Sequence, residues 1–374
     1  MAFGTITKKY EDEKKYLIVN KVEKIEVIPS GSWVFDNLTG GIGGFARGRL
    51  SEVHGLESAG KSTIITSAAA QAQKKNMAVL YLDNEHAFEA TYAAKLGLVI
   101  TDPNLCRIYR PLTLEENMDI IEEYFEDAKR LKYSIFLIID SMATMIPKDI
   151  YNDTLKTITN WGLTSKLQTA LVQKLTKQVS ETNSIGIMVS QMRANTATGP
   201  MAAFAPKEKS TGGYAYRHLL SARFLLRPGK KEKVKTDDKV EGNVERDNVL
   251  MVSVKNIKNK VGMPYLTGTM YIKLGEGIDN TRTALEAAIS KKIVVRAGKG
   301  GMVTCDKIPA IKGRTVSAVS DLLSKDSVLL QSLLKELGWL NKDGKVDLSN
   351  ELTQVFPSKL GEDGDDEDED EEED

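Results

Sequence analysis

Blocks of apolar residues alternate with blocks of mixed polarity through the first half of the chain. The apolar runs read "SEVHG", "MAVLYLDNE", "SIFLIIDS" and "SIGIMVSQ", and stretches with helical spacing lie at 60–75, 87–96, 114–131 and 162–182. Uninterrupted apolar runs are typical of parallel strands that are buried on both faces. Because such strands alternate with helices, the pattern predicts an α/β fold with a mainly parallel twisted sheet flanked by helices.

The pattern changes outside this alternation. Residues 31–50 are rich in glycine and predict a loop, and residues 192–212 are small and polar and predict a long functional loop. The apolar stretches "LLSARFLLR", "VLMVSVKN" and "GTMYIKL" predict strands paired as hairpins, and residues 285–355 predict helices and turns. We expect four regions, namely an N-terminal segment (1–30), a large core (31–280), a small α/β C-terminal domain (281–356) and a disordered acidic tail (357–374).

The overall charge of −1 conceals a strong asymmetry. Of the 52 acidic residues, twelve lie in the last fourteen positions. The rest of the chain, its body, therefore has 40 acids against 51 bases and a net charge of about +11. A basic body with an acidic tail is typical of a protein that binds a polyanion and carries its own competitor. A solvated tail that only aids solubility is the alternative.

Several classes of protein are disfavoured by composition. No apolar run approaches the roughly 20 residues that span a membrane. The first residues are too charged for a signal peptide, so we expect a cytoplasmic protein without a membrane partner. Cys106 and Cys305 form no metal or redox motif.

The stretch "GLESAGKST" is a complete Walker A motif, from Gly55 through Gly60 and Lys61 to Ser62 and Thr63. Glycines let backbone N–H groups wrap phosphates, and the N-terminus of the following helix favours negative charge. We expect Lys61 to reach the β- and γ-phosphates and Ser62 to bind Mg²⁺. The other predicted members of this ATP-binding loop are Glu57, Ser58 and Ala59.

Two further strands end in carboxylates. Asp140 ends "SIFLIID" in the manner of a Walker B aspartate, which would hold the Mg²⁺. Glu85 follows "VLYLDN" at the edge where a parallel sheet places its ligands. Glu85 is our candidate for the carboxylate that orients water, and Asp83 is the alternative.

Five stretches, taken together, resemble a known family. They are "IPSGSWVFDNLTGGIGGFARGRLSEVHGLESAGKST", "LDNEHAFEATYAAKLGL", "IIDSMATMIPK", "STGGYAYRHLLSAR" and "VKNIKNKVGMPY". They resemble the core of the RecA recombinases, in the family's order, over about residues 28–285, and the tail resembles the acidic C-terminus of bacterial RecA. The divergence elsewhere suggests a distant or phage-encoded member.

The resemblance implies roles for individual residues. Glu85 matches the glutamate that activates water, and Tyr92 matches the tyrosine that stacks on adenine. Glu89 stands where the family usually has an aspartate near the adenine. Gln191 matches the glutamine that senses the γ-phosphate.

Lys258 and Lys260, in "KNK", match a pair that reaches ATP bound to the neighbouring protomer. The resemblance therefore implies a homo-oligomeric helical filament with ATP at the protomer interface. A positive charge supplied by the neighbour would stabilise charge on the transferring phosphate. The segment before the core is shorter than in bacterial RecA, so the filament contact is expected to differ.

The resemblance assigns residues 31–280 to an ATPase and DNA-binding core and residues 1–30 to an oligomerisation segment. It also implies DNA contacts in two loops, at about 148–162 and 192–212. In and near these loops lie cations that could bind phosphates, flat or apolar groups that could contact bases, and glycines at the loop end. The candidates are Trp161, Lys166, Lys174, Arg193, Phe204, Gly212, Gly213 and Arg217. Gln173 stands where the family tends to have an arginine, and His218 where it has an interface phenylalanine.

These expectations combine into one function. The chain is interpreted as an ATP-dependent recombinase, a DNA-dependent ATPase that polymerises on single-stranded DNA and exchanges strands with homologous duplex. Single-strand-binding and loader proteins are further expected partners. A ring-forming helicase or motor with the same core is the alternative, disfavoured because such motors usually carry a sizeable domain before the phosphate loop. A mediator that binds ATP without turnover is a second alternative.

Overall fold

Helices and strands alternate through most of the chain. The computed structural model describes residues 25–152, 162–194, 208–210, 214–238, 242–297, 302–348 and 353–354. The helices are α1 (Trp33–Leu38), α2 (Lys61–Gln73), α3 (Ala90–Lys95), α4 (Leu114–Leu131), α5 (Lys148–Asn152), α6 (Leu163–Glu181), α7 (Tyr214–Leu219), α8 (Asn280–Ser290), α9 (Val316–Lys325) and α10 (Ser327–Leu337). The strands are β1 (Val27–Ile28), β2 (Phe45–Ala46), β3 (Arg49–Gly55), β4 (Ala78–Asp83), β5 (Cys106–Tyr109), β6 (Ile135–Asp140), β7 (Ile185–Ala194), β8 (Glu208–Ser210), β9 (Ala222–Asp238), β10 (Gly242–Asn259), β11 (Leu266–Lys273), β12 (Gly277–Ile278), β13 (Val295–Arg296), β14 (Val303–Thr304), β15 (Lys312–Gly313) and β16 (Thr353–Gln354).

One large mixed sheet organises the molecule, and its strands follow the order β12-β11-β10-β9-β3-β7-β6-β4-β5. Strands β9, β3, β7, β6, β4 and β5 are mutually parallel. Strands β10, β11 and β12 extend the sheet in antiparallel fashion beyond β9. The predicted α/β class and its mainly parallel core are therefore confirmed, as is the predicted hairpin pairing of the later strands.

The two faces of the sheet are covered by different sets of apolar side chains. On one face, Phe35, Phe45 and Phe224 pack with ring centroids 4.6 to 6.1 Å apart. The other face is covered by α4 and α6, through Phe125 and Leu175 among others. Strands β4 and β6 are buried along nearly their whole length, which explains why they are apolar at consecutive positions.

Helix α4 shows how local sequence sets its ends. Thr113 caps it by accepting a hydrogen bond from the Glu116 backbone at 3.2 Å, and acidic residues occupy its first turn. Lys129 and Arg130 lie in its last turn, where they complement the helix dipole. The predicted helix at 114–131 is confirmed at both ends.

Three predicted elements differ from the structure. Residues 31–50 contain α1 and β2 in place of a continuous loop, because the apolar side chains between the glycines pack into the core. The helix expected at 87–96 begins only at Ala90. The loop expected at 192–212 begins inside β7, which runs to Ala194 and pairs with β8.

The C-terminal helices add apolar side chains to one of the two cores that flank the sheet. Helix α8 packs against α9 and α10, and β13, β14 and β15 form a small sheet of their own. Leu285, Val319 and Leu333 belong to the same apolar cluster as Phe35 and its neighbours. In the part of the chain that the structure describes, no helix combines the length and apolarity needed to cross a bilayer.

Candidate nucleotide site

The strand register brings the predicted site residues to one edge of the sheet. Gly55 at the end of β3 pairs with Gln191 on β7. Asp83 at the end of β4 pairs with Asp140 at the end of β6. Because these strands are parallel, their carboxyl ends converge where open α/β sheets bind ligands.

The phosphate loop is shaped by a glycine that no other residue could replace without strain. Gly60 has φ +79°, and a Cβ added there would lie 2.3 Å from the Ile272 side chain. Helix α2 begins at the next residue, Lys61, and no side chain caps its N-terminus. Its first backbone N–H groups are therefore available to an anion.

Lys61 lies inside this loop. Its Nζ donates to the backbone oxygens of Leu56 at 2.7 Å and Gly55 at 3.2 Å. Burial lowers the pKa of Lys61, while the nearby Asp140 and Glu85 carboxylates oppose that shift. The cation is thus held beside the helix N-terminus, in position to neutralise phosphate oxygens.

Glu85 and Gln191 are in direct contact. The Gln191 side-chain amide donates to Glu85 Oε1 at 3.0 Å, although 106 positions separate the two residues. The Glu85 backbone N–H donates to the Asp140 backbone oxygen at 3.1 Å, and this bond holds the Glu85 loop to β6. The structure therefore joins the predicted water-activating carboxylate to the predicted phosphate sensor.

Asp140 is buried and accepts a side-chain hydrogen bond. Its Oδ2 accepts from the Tyr81 hydroxyl at 2.8 Å. Burial raises the pKa of Asp140 to about 6, and the Glu85 and Asp83 charges add to the shift. A cation bound beside this carboxylate would favour its ionised form. Asp140 and Ser62 line the same cavity, so the oxygen donors that Mg²⁺ prefers are present.

Asp83, the alternative to Glu85, holds the loop through three accepted hydrogen bonds. Its carboxylate accepts from the backbone N–H groups of Ala87 and Phe88, at 2.9 and 3.2 Å. It also accepts from Arg110 Nε at 3.0 Å. These contacts shape the turn that presents Glu85 and explain why α3 starts later than predicted.

A cavity of about 490 Å³ lies over the phosphate loop, within the size range of small-molecule sites. Its walls include most of the predicted ATP-site residues, which are Glu57, Ser58, Ala59, Gly60, Lys61, Ser62, Thr63, Glu85, Tyr92, Asp140 and Gln191. Leu250, Ile272 and Leu274 complete the wall from β10, β11 and the residue that follows. Sequence reasoning missed these three because no local motif marks them.

Of the two residues predicted to lie near the adenine, Tyr92 lines the cavity and Glu89 does not. The Tyr92 hydroxyl is 2.9 Å from Thr63 Oγ1, so its ring borders the phosphate loop. Glu89 does not line the cavity; its carboxylate caps α3 by accepting from the Thr91 and Tyr92 backbones. These hydrogen bonds, above all the one from Tyr92, lower the pKa of Glu89.

The two predicted interface lysines lie away from the cavity of their own chain. Lys258 Nζ donates to the backbone oxygens of Arg217 at 2.6 Å and His218 at 3.2 Å. Lys260 Nζ donates to the His218 oxygen at 2.6 Å. Burial, with the charge of Lys260 next, lowers the pKa of Lys258 to about 8.

The predicted DNA contacts are only partly covered by the structure. Lys166 is exposed in the first turn of α6, Lys174 forms an ion pair with Glu122, and Arg217 lies half-buried on α7. Arg193 lies near the end of β7. The remaining candidates, Trp161, Phe204, Gly212 and Gly213, lie outside the described residues. Among the described residues, no group of three His, Cys, Asp or Glu side chains is arranged to hold a metal ion.

Comparison with known proteins agrees with this geometry. A family model described as the RecA N-terminal domain matches residues 1–279. The chain is 32% identical to Protein RecA of Thermotoga maritima over 297 residues, 79% of this chain and 76% of the relative. It is 33% identical to Protein RecA of Bacteroides thetaiotaomicron over 280 residues, 75% and 78% of the two chains. It is 29% identical to Protein RecA of Chlorobaculum tepidum over 317 residues, 84% of each chain.

A Walker A loop at the carboxyl edge of a parallel sheet, with two carboxylates facing it, defines the class of P-loop nucleotide-binding proteins. Within that class, the family is established by the match to the RecA N-terminal domain over residues 1–279 and by the identity of 32% and 33% to two RecA proteins. The chain belongs to the RecA family of recombinases.

Proposed function

We propose that this recombinase is a DNA-dependent ATPase that forms a helical filament on single-stranded DNA and exchanges strands with homologous duplex. The observation that supports this most is the 3.0 Å hydrogen bond between Gln191 and Glu85 inside the Walker A cavity. It joins a group suited to orienting water with the strand that leads toward the predicted DNA loop. ATP binding and DNA binding would thereby be linked through one side-chain contact.

The cavity residues divide the work on ATP. The N-terminus of α2 and Lys61 would hold the β- and γ-phosphates, and Tyr92 would lie against the adenine. Ser62 and Asp140 would hold Mg²⁺, which supplies charge neutralisation to the phosphate oxygens. Glu85 would orient and deprotonate the attacking water.

Gln191 is suited to act as a switch. In this structure its amide donates to Glu85. Gln191 also lines the cavity, so the γ-phosphate of a bound ATP would offer it a competing acceptor there. Exchange of one acceptor for the other would free Glu85 to engage water and would shift the end of β7. The predicted DNA loop follows that strand directly, so ATP would favour one arrangement of the loop.

Assembly would complete the site. Lys258 and Lys260 are cations carried at the end of β10 and just after it, outside the cavity of their own chain. Presented to a neighbouring protomer, they would stabilise charge on its transferring phosphate. Hydrolysis would then depend on filament formation, and therefore on DNA.

The remaining assignments belong to the same proposal. Residues 1–30 would contact the next protomer, 31–280 would form the catalytic core, and 281–356 would form a smaller domain. The exposed Lys166 and the loop residues would bind the DNA backbone and bases. We place the protein in the cytoplasm, with single-strand-binding and loader proteins as further partners.

The proposal is tested by measuring ATP hydrolysis with and without single-stranded DNA for the wild type and for Lys61→Ala. We expect DNA to stimulate the wild type, and Lys61→Ala to lose at least about a hundredfold in rate because a phosphate-binding cation is missing. Lys74→Ala, at the exposed end of α2, is the matched control.

Electron microscopy with a non-hydrolysable ATP analogue adds a second readout. Helical filaments on single-stranded DNA support the proposal. Closed rings would favour the motor alternative, and a wild type that neither binds DNA nor assembles would refute the proposal.

A further inference from the structure

A buried polar cluster includes two residues of β3, the strand that leads into the phosphate loop. We define the Glu52 cluster as Glu52, His54, Ser190, Tyr216 and Arg223, which belong to β3, β7, α7 and β9. The Glu52 side chain is 0% exposed. None of the five lines the cavity or belongs to the predicted DNA contacts.

Two short hydrogen bonds and two longer contacts join the members of the Glu52 cluster. Glu52 Oε1 accepts from the Tyr216 hydroxyl at 2.8 Å, and Oε2 accepts from Arg223 Nε at 2.5 Å. The same Tyr216 hydroxyl lies 3.4 Å from Ser190 Oγ. His54 Nδ1 lies 3.6 Å from Glu52 Oε2. A buried carboxylate with these donors is costly to disturb, because removing a donor leaves a charge without compensation.

Strand register explains how the Glu52 cluster forms. Glu52 pairs with Arg223 across β3 and β9, and His54 pairs with Ser190 across β3 and β7. Ser190 directly precedes Gln191, and Glu52 lies three residues before Gly55. The Glu52 cluster therefore lies next to the strand ends that reach the nucleotide cavity.

Tyr216 is the one member of the Glu52 cluster that does not lie on the sheet. It is completely buried on α7, the short helix that follows the predicted second DNA loop. Its hydroxyl is thus a point where that helix is held to both β3 and β7.

The last turn of α7 is in contact with the two predicted interface lysines, which lie at the end of β10 and just after it. Lys258 and Lys260 donate to the backbone oxygens of Arg217 and His218, the two residues that follow Tyr216. The register also places Lys258 beside Arg223. The same helix is therefore bound to the nucleotide-site strands through Tyr216 and to the lysines through its last turn.

We infer that Tyr216 is a positioning residue that couples DNA binding to ATP hydrolysis, through the Glu52 cluster on one side and Lys258 and Lys260 on the other. This inference rests on the proposed function. When DNA binds the predicted loop that precedes α7, the Tyr216 hydroxyl transmits the position of the helix to β3 and β7. The last turn of α7 then sets where the two lysines stand relative to the neighbouring nucleotide.

The test is Tyr216→Phe in the full-length chain, which keeps the ring and removes the hydroxyl. We expect nucleotide affinity and the DNA-free rate to stay within about twofold of wild type, since the cavity walls are unchanged. The maximal DNA-stimulated rate should fall roughly tenfold, the size expected for losing a hydrogen bond to a charged group. Nucleotide affinity is measured with a fluorescent ATP analogue, and the rates by phosphate release.

Tyr124→Phe is the matched control. It also removes a hydroxyl bound by another side chain, Tyr109 at 2.8 Å, but it lies on α4, away from α7 and the cavity. Ser190→Ala is a second variant that removes the other partner of the Tyr216 hydroxyl without altering the ring. We expect it to reduce stimulation in the same direction.

The outcomes separate the two proposals. If wild type is stimulated by DNA and Tyr216→Phe is stimulated equally, the inference is wrong while the proposed function stands. If Tyr216→Phe lowers the DNA-free and DNA-stimulated rates in parallel, Tyr216 is only structural, which also overturns the inference. If wild type itself shows no stimulation, the proposed function fails and the inference with it. Should Tyr216→Phe not fold, the same readings are taken from Ser190→Ala.

Discussion

Replacing Glu85 by glutamine probes the chemical step with little change of shape. The glutamine keeps a side-chain oxygen that can accept the 3.0 Å hydrogen bond from Gln191. The backbone bond from residue 85 to the Asp140 oxygen is also retained. Cavity volume and loop position should therefore be conserved, and only the carboxylate base is lost.

The expected magnitude follows from that loss. A positioned general base contributes about a hundred- to ten-thousandfold to a rate, which corresponds to roughly 3–5 kcal/mol of barrier. ATP affinity should remain the same or rise slightly, because a negative charge is removed from a site for phosphates. If ATP stabilises the DNA-gripping state, the variant should form filaments that persist.

The assay combines three measurements on Glu85→Gln, namely phosphate release with single-stranded DNA, binding of a fluorescent ATP analogue, and filament lifetime by electron microscopy. Glu126→Gln, on the exposed face of α4, makes the same change of charge and serves as the control. We expect the control to hydrolyse ATP at the wild-type rate.

A Glu85→Gln variant that hydrolyses ATP within threefold of wild type would remove Glu85 from the proposed role. Loss of ATP binding together with hydrolysis would mean that Glu85 holds the cavity in shape and does not act as a base. Asp83 would not then become the base, because its carboxylate already accepts three hydrogen bonds.

Two further predictions concern charge. Deleting residues 361–374 removes twelve acids. We expect the apparent Kd for single-stranded DNA to fall about threefold or more at low salt, and the difference from the full-length chain to shrink as the salt concentration rises. A deletion that leaves the salt dependence of DNA binding unchanged would identify the tail as a solubility device. Burial lowers the pKa of His54 to about 4 from 6.5, so between these two pH values the unfolded chain binds a proton that the folded chain does not. The free energy of unfolding should therefore drop, by about 2 kcal/mol from this residue between pH 7 and pH 5, and urea titrations of His54→Gln should show a correspondingly smaller drop, whereas equal drops in both proteins would contradict the argument.

Much of the site is visible in the sequence because the chemistry is local. The spacing from Gly55 to Ser62 places backbone N–H groups, a cation and a hydroxyl within one loop, and the structure puts these residues in one cavity. The alternation of apolar runs and helical stretches predicts the parallel core for a similar reason, since each strand is buried on both faces. The roles assigned to these residues stay predictions.

The role of Glu89 and the elements within residues 31–50 could be assigned only from the tertiary structure. The family resemblance marks Glu89 as a contact near the adenine, yet in the structure its carboxylate caps α3. A capping carboxylate and a ligand contact have the same local pattern, so residue spacing does not distinguish them. Likewise, residues 31–50 look like a loop by their glycines, and only packing against Phe224 reveals α1 and β2 as part of the core.

The sequence by itself determined the class of fold, the phosphate loop and the carboxylates at the strand ends, because each depends on residues close together in the chain. Tertiary structure alone decided which of them meet. Gln191 reaches Glu85 across 106 positions, and Tyr216 reaches Glu52 across 164. Such pairs are set by which strands are neighbours and in what register, and these are properties of the whole sheet that no short segment contains.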